Sequence, residues 1–309
     1  MLAASRRPRF APSTQRSQAL RRGRLLWAAL LALLTAACSQ AAVATPRPVT
    51  IQISGATSMA LALQELAGEF TRQHPNVFIT LGGGGSALGE TRTAEGRVTL
   101  GASTHMAGAG NDDETKPAAT VAPPLVRIPI GIDGVAVVVH SSNPVTGLTL
   151  QQLQEIYGGR ILDWQEVGGN AGEILLISRE DGSGTRSVFE SRVMGEMPVS
   201  LTAVVMPTSK DVAEYAAQNP FAIGYVSSAY LSAAATASPE AAPASAIRAL
   251  AIGGALPTDA AVKSQEYPII QPLFLVSQGE PRGWARQFVD FALSPAGQAI
   301  VDRYHVRVR

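Results

Sequence analysis

The chain has 309 residues, 46% of them apolar and 16% charged, with 29 Gly, 20 Pro and a formal net charge of +1. Such a length fits about two domains with a sizeable core, and the composition excludes a disordered chain, a collagen, a coiled coil and a disulfide-stapled miniprotein. The near-neutral total hides two unequal parts: residues 1–37 hold seven Arg and no acid, and taking those seven from the 25 basic residues leaves 18 against 24 acidic ones, a net charge of −6. A body of that sign is not built to bind nucleic acid.

In chain order, the arginines are followed by an uncharged apolar run of thirteen residues, 25–37, where a membrane-spanning helix needs about 20. A basic start, a short apolar stretch and then small residues form the pattern of a secretory signal peptide, residues 1–37, removed after export. The only cysteine, Cys38, directly follows Thr35-Ala36-Ala37. This resembles the lipobox of bacterial lipoproteins, which implies that Cys38 carries lipid and becomes the first mature residue; Thr35 stands where leucine is more usual. Residues 38–48, polar and rich in Pro and Ala after the cysteine, would be the lipidated tether.

From residue 49 short apolar runs alternate with amphipathic stretches, the pattern of an α/β fold with largely parallel strands. Strands are predicted at 51–53, 77–81, 98–102, 135–140, 174–178, 204–206, 223–226 and 269–276. Helices are predicted at 58–73, 150–157, 185–194, 209–218, 281–293 and 295–304. In the first helix Leu63, Leu66, Ala67 and Phe70 recur at the spacing that places them on one buried face. Residues 232–246, nearly all Ala, Ser, Pro and Thr, read as a surface loop.

Three strand ends share one chemistry. The first strand runs into Ser54-Gly55-Ala56-Thr57-Ser58 and a helix, the second into Gly82-Gly83-Gly84-Gly85-Ser86, and the strand at 174–178 into Arg179-Glu180-Asp181-Gly182-Ser183-Gly184-Thr185 and a helix. Glycines let backbone N–H groups approach a ligand, and a helix N-terminus carries about half a positive charge. Such ends bind oxyanions, and in open α/β sheets they lie where ligands bind. Taken singly, each loop is equally an ordinary helix N-cap. The third adds a permanent cation two positions before a carboxylate: Arg179 can present its fork to an oxyanion while Asp181 orients the guanidinium from behind.

That third loop resembles the signature loop of the periplasmic phosphate-binding proteins of phosphate ABC importers. The Gly55-Ala56-Thr57-Ser58 and Gly85-Ser86 loops, the segment 153–164, Ile223-Gly224-Tyr225-Val226 and the segment 288–297 match the family in order, so the resemblance covers about residues 49–301. It implies a two-lobed type II periplasmic-binding-protein fold with two crossing hinge strands. The lobes would be 49–128 plus 277–309, and 141–266; the crossings would be 129–140 and 267–276. The implied phosphate ligands are Thr57, Ser58, Ser86, Thr104, Arg179, Ser183, Gly184 and Thr185, with Asp181 behind them. The implied protein is a lipid-anchored, extracytoplasmic, monomeric receptor that captures inorganic phosphate and hands it to the permease subunits, with no cofactor, no metal and no catalytic residue.

One position departs from the family. Gly101-Ala102-Ser103-Thr104 puts Thr104 where some members carry an aspartate that accepts the proton of hydrogen phosphate and so rejects sulfate. A hydroxyl accepts or donates, so discrimination is either weaker here or supplied by another carboxylate such as Asp133, which is equally a structural residue at the hinge. Two other functions stay open: a receptor for sulfate, molybdate or tungstate, and a phosphatase or other hydrolase using Ser183. A nucleophilic serine needs a base. Of the four histidines only His105 lies near the proposed cleft, His140 ends a crossing strand, and His74 and His305 read as surface residues. After Cys38 no thiol remains and no two histidines sit at metal-ligand spacing.

Overall fold

The computed structural model describes residues 47–106, 123–231 and 246–308. The signal-peptide, Cys38 and tether expectations, and nearly all of the loop predicted at 232–246, lie outside them. The described residues from Pro48 onward form one compact unit.

Twelve strands are described: β1 Val49–Gly55, β2 Val77–Gly82, β3 Leu100–Ser103, β4 Leu125–His140, β5 Gly147–Leu148, β6 Leu175–Arg179, β7 Val204–Met206, β8 Ala222–Ser227, β9 Ile247–Ala249, β10 Ala251–Ile252, β11 Ile270–Gln278 and β12 Val306–Arg307. The main sheet runs β2-β1-β3-β11-β4-β8-β6-β7, with β9 and β12 also paired to β4. β1 is parallel to β2 and β3, and β6 is parallel to β7 and β8. Between these parallel blocks β11 and β4 run antiparallel to each other and to their outer neighbours. Two parallel α/β halves are thus joined through the two long strands. Those strands occupy the segments expected to cross between lobes.

β4 extends further back than its apolar run suggested, because it passes through Pro129. The ladder with β11 shifts register at that point: Leu273 pairs with Gly131, and Phe274 with Pro129. A proline has no N–H to give a ladder, and a bulge is where a sheet accommodates it. β8, set between antiparallel β4 and parallel β6, is buried along its whole length.

The helices are α1 Ala60–Gln73, α2 Gly85–Ala94, α3 Leu150–Tyr157, α4 Gly184–Phe189, α5 Ser209–Gln218, α6 Asp259–Lys263, α7 Gly283–Leu293 and α8 Pro295–Val301. α1 buries Leu63, Leu66, Ala67 and Phe70 as its periodicity requires, against a core with Ile51, Ile53, Phe288 and Leu275. α2 was not predicted: it opens with glycine and carries Thr, Glu and Arg in place of an apolar stripe. The helix predicted at 185–194 divides into α4 and a π turn, Glu190–Met194.

Two histidines differ from expectation. His305 is buried, its Nδ1 3.3 Å from Oδ1 of the equally buried Asp133. His74 packs its ring on Phe70 and Trp284 at centroid distances of 4.5 and 5.2 Å. Asp133 lies in β4 and accepts from Ser228 Oγ (2.7 Å) and Gln271 Nε2 (2.6 Å), which ties it to β11. Its contacts join β4 to β11, to the turn after β8 and to His305.

Candidate functional site

The first loop begins at Gly55, whose φ of +141° and close approach to Ala102 leave no room for a side chain: a Cβ would stand 2.1 Å from the Ala102 carbonyl oxygen. The chain then makes a 3-10 turn, Thr57–Met59, into α1. Thr57 Oγ1 accepts from Arg179 Nη2 at 3.1 Å and from the Ser209 backbone N–H at 3.2 Å. One hydroxyl therefore joins the β1 loop to the loops after β6 and β7. The neighbouring Ser58 is buried, and its hydroxyl has no hydrogen-bond partner among the described residues.

The second loop turns through Gly84 and Gly85, both at positive φ, and delivers Ser86 into the first turn of α2. Ser86 Oγ accepts from the Thr104 backbone N–H at 3.0 Å and lies 3.4 Å from Thr104 Oγ1. Both residues are fully buried. Behind Thr104, Ser103 Oγ donates to Glu90 Oε1 (2.5 Å), and Glu90 also receives a two-pronged bond from Arg127 (2.7 and 3.2 Å). His105 follows this pair, and burial holds its imidazole below the ordinary histidine range.

The third loop meets the second. Ala87 N–H donates to Gly182 O at 3.1 Å. A Cβ at Gly184 would stand 2.2 Å from Thr104 Oγ1 and 2.3 Å from Ser86 Oγ, so the start of α4 lies directly against both hydroxyls. Ser183 caps α4 by accepting from Arg186 N–H at 3.3 Å. The N–H groups of Ser86, Gly184 and Thr185 sit in first turns, where a helix offers its donors no internal partner. Thr185 is buried beside them.

Arg179 is only 1% exposed, and a guanidinium that dry must be paired. Its Nε and Nη2 donate to the two oxygens of Glu180, each at 2.9 Å, while Nη1 donates to Ser209 Oγ at 2.9 Å and Nε also reaches Met206 O at 3.2 Å. This corrects the expected role of Asp181. That carboxylate is 98% exposed and accepts from Arg186 Nη1 at 2.5 Å; Arg186 in turn donates to the Arg179 carbonyl at 2.9 Å. The strand ends at Arg179, so the alternation that would put residues 179 and 181 on one face no longer applies, and the adjacent Glu180 folds back instead.

Beneath the loop the ring of Phe189 stacks on Tyr225 with centroids 4.1 Å apart and planes within 7°. Tyr225 OH meets Ser178 Oγ at 2.8 Å and receives the Arg179 N–H at 3.3 Å. Burial pushes this phenol up to about 12, so it stays neutral and fixes the end of β6. A cavity of about 270 Å³ adjoins the first two loops, lined by Ile53, Ala60, Leu63, Leu81, Thr57 and Gly83. Its wall carries Gln64 beside these residues, while the Ser86, Gly184 and Thr185 N–H groups gather at the helix starts.

Thr57 and Arg179 are thus in contact, and Ser86, Thr104 and Gly184 form a second contact group tied to the first through the three loops. Ser183, Thr185 and Ser58 adjoin them in the chain; Asp133 and Asp181 are directed elsewhere. Sequence reasoning missed Glu180 and Ser209. Ser209 carried the signal already used for the other loops, since Pro207-Thr208-Ser209 also joins a strand to a helix N-terminus. Among the described residues no group of three or more His, Cys, Asp or Glu could hold a metal, and no helix is long and apolar enough to cross a membrane.

Comparison with known proteins finds a match to the PBP superfamily domain over residues 39–296. The phosphate-binding protein PstS of Bacillus subtilis (strain 168) is 29% identical over 246 residues, 79% of this chain and 75% of that protein. A structure solved with bound phosphate from Clostridium perfringens, described as a phosphate ABC transporter substrate-binding protein, superposes with a TM-score of 0.72 at 29% identity, covering 84% of this chain and 100% of that one. An ABC-type phosphate transport receptor from Vibrio cholerae gives 0.61 at 27% identity, with coverages of 84% and 100%.

Proposed function

The chain belongs to the PBP superfamily, and from that premise we propose that it is an extracytoplasmic receptor that captures inorganic phosphate between two lobes and delivers it to the permease of an ABC importer. The observation that carries this reading is that the three strand-end loops contact one another through buried polar groups. Thr57 touches Arg179, and Gly184 lies against Ser86 and Thr104. Relatives of the same family, named for phosphate binding and transport, support the choice of anion.

In this reading Thr57, Ser86 and Thr104 supply hydroxyls, Ser58, Gly184 and Thr185 supply backbone N–H groups, and Arg179 supplies the positive charge. Hydrogen bonds to an ionised ligand are stronger than neutral ones, more so where water is excluded. The overall negative charge of the exported part does not oppose them, because charges more than about 8 Å away are largely screened at physiological ionic strength. Residues 49–128 with 277–309 form one lobe and 141–266 the other, with 129–140 in β4 and 267–276 at β11 as the hinge crossings.

Residues 1–37 direct export, Cys38 holds lipid, and the receptor works as a monomer without catalysis. Ser183 serves as the α4 cap and not as a nucleophile. Isothermal titration of the purified protein with phosphate tests the reading. Saturable heat with a rise in melting temperature supports it; no heat and no thermal shift at millimolar phosphate refutes it. Labelling with a fatty-acid precursor, lost in Cys38→Ala, tests the anchor separately.

A further inference from the structure

We propose that His305 and Asp133 form a pH-sensitive pin, which holds the C-terminal segment on the crossing strand β4 while the imidazole carries a proton and loosens when that proton leaves. The pin does not depend on which anion the strand-end loops take.

Asp133 is fully buried, and a carboxylate out of water needs a counter-charge or gives up its own. Its oxygens accept from Ser228 Oγ and Gln271 Nε2, which are neutral donors. Among the described residues the cation-forming group paired with it is His305, whose Nδ1 lies 3.3 Å from Oδ1. That imidazole is only 2% exposed, and neither ring nitrogen has a hydrogen-bond partner among the described residues; nor has Oε1 of the buried Gln271. A neutral ring brings no charge to Asp133. An imidazolium brings the missing charge together with an N–H donor at Nδ1.

The place of the pair in the fold makes it a tie between elements. His305 stands on the turn between α8 and β12, its N–H bonded to the Val301 carbonyl at 2.8 Å, and β12 pairs with β4 at Val306 with Ile132 and Arg307 with Gly131. Through Gln271 and Ser228 the same carboxylate reaches the second crossing strand, β11, and the turn after β8.

The other titratable groups around the ring do not take the place of Asp133. Asp259 of α6 lies within reach of the charges of Asp302, His305 and Asp133; burial first, and then Asp302, hold its carboxyl above the ordinary range. Asp302 is half exposed and faces Arg307 at 3.7 Å. The Tyr267 OH donates to the Val135 carbonyl at 2.8 Å, and burial pushes that phenol up; the Tyr304 ring lies 6.5 Å from the imidazole. With three carboxylates around one imidazole, a proton on the ring relieves charge. An imidazole exchanges its proton between about pH 5 and 8, so the tie is intact at the acidic end of that range and lost toward the alkaline end.

The test is hydrogen exchange of the segment 302–308 as a function of pH, in the unsubstituted protein and in His305→Gln, Asp133→Asn and Asp259→Asn. After correction for the pH dependence of exchange itself, opening of this segment in the unsubstituted protein is expected to rise roughly tenfold to a hundredfold from about pH 6 to about pH 8.5, the range for one charge-assisted hydrogen bond. His305→Gln and Asp133→Asn are expected to abolish that dependence, and Asp259→Asn to keep it. Opening that does not change with pH in the unsubstituted protein, the same dependence retained in His305→Gln, or its loss in Asp259→Asn would each overturn the proposal. Should a variant fail to fold, the ring nitrogen NMR shifts of His305 in the unsubstituted protein decide: an imidazolium at about pH 6 that gives up its proton by about pH 8.5 supports the pin, and a neutral ring throughout overturns it.

Discussion

Replacing Gly184 by Ala adds one methyl where the start of α4 lies against Ser86 and Thr104. Gly184 is not held at positive φ, so alanine meets no backbone strain and the effect is purely one of space. The added Cβ would stand 2.2 Å from Thr104 Oγ1 and 2.3 Å from Ser86 Oγ, more than 1 Å inside ordinary contact on the ~3.5 Å scale of non-bonded heavy atoms. Neither hydroxyl can swing away freely, because Ser86 Oγ is fixed by the Thr104 N–H and both residues are fully buried. Either α4 shifts outward or both hydroxyls leave their positions, and each route removes donors from an anion held there. Overpacking of this kind costs about 1–3 kcal/mol of stability. Losing two hydrogen bonds to a charged ligand costs at least about 3 kcal/mol, a drop in affinity of roughly a hundredfold or more. Calorimetry gives the affinity and differential scanning calorimetry the stability. Phosphate affinity within about threefold of the unsubstituted protein, at unchanged stability, would refute the placement of Gly184 against the anion.

Other outcomes follow from the same contacts. Arg179→Lys replaces a fork bonded to Glu180, Thr57 and Ser209 by a point charge, and is expected to weaken phosphate binding by roughly a hundredfold while the protein still folds, read by calorimetry and circular dichroism. Ser209→Ala removes the Nη1 acceptor of a buried guanidinium and is expected to lower phosphate affinity roughly tenfold and stability by about 1–3 kcal/mol, read by calorimetry and urea unfolding. Phe70→Ala empties a site packed edge-on against Phe288 at 5.4 Å and near Trp284 at 6.4 Å, and should cost about 3–5 kcal/mol in urea unfolding. The phenol of Tyr225, raised to about 12 in the folded protein, holds its proton more tightly there than in the unfolded chain near 10. Its contribution is therefore intact below pH 10 and is lost as pH rises from about 10 to about 12, up to about 3 kcal/mol; Tyr225→Phe should remove that part of the alkaline loss of stability.

The sequence made the strand ends legible because each is a short apolar run followed by glycine, a hydroxyl residue and a helix, a pattern whose physics is local. The core face of α1 was legible for the same reason: Leu63, Leu66 and Phe70 obey a helical period that burial enforces. What stayed hidden depends on three dimensions. α2 has no apolar stripe to announce it, and is held by the packing of Ser86, Gly89 and Thr93 under the sheet ends, where Gly89 leaves no space for a Cβ beside the Ser54 carbonyl oxygen. Spacing favoured Asp181 as the partner of Arg179, but the chain leaves the strand at that residue and brings Glu180 round in its place. His305 looked exposed near the C-terminus, yet β12 pairs with β4 and carries its ring down to Asp133.

The most direct measurement is a crystal structure of the purified protein grown with phosphate. The expected result is a tetrahedral ion within hydrogen-bonding range, about 2.6–3.2 Å, of Thr57 Oγ1, Ser86 Oγ, the Gly184 N–H and Arg179, with Glu180 still on the guanidinium. Phosphate seated in the aliphatic cavity beside Leu63 and Leu81, or those loops unoccupied at saturating phosphate, would contradict it.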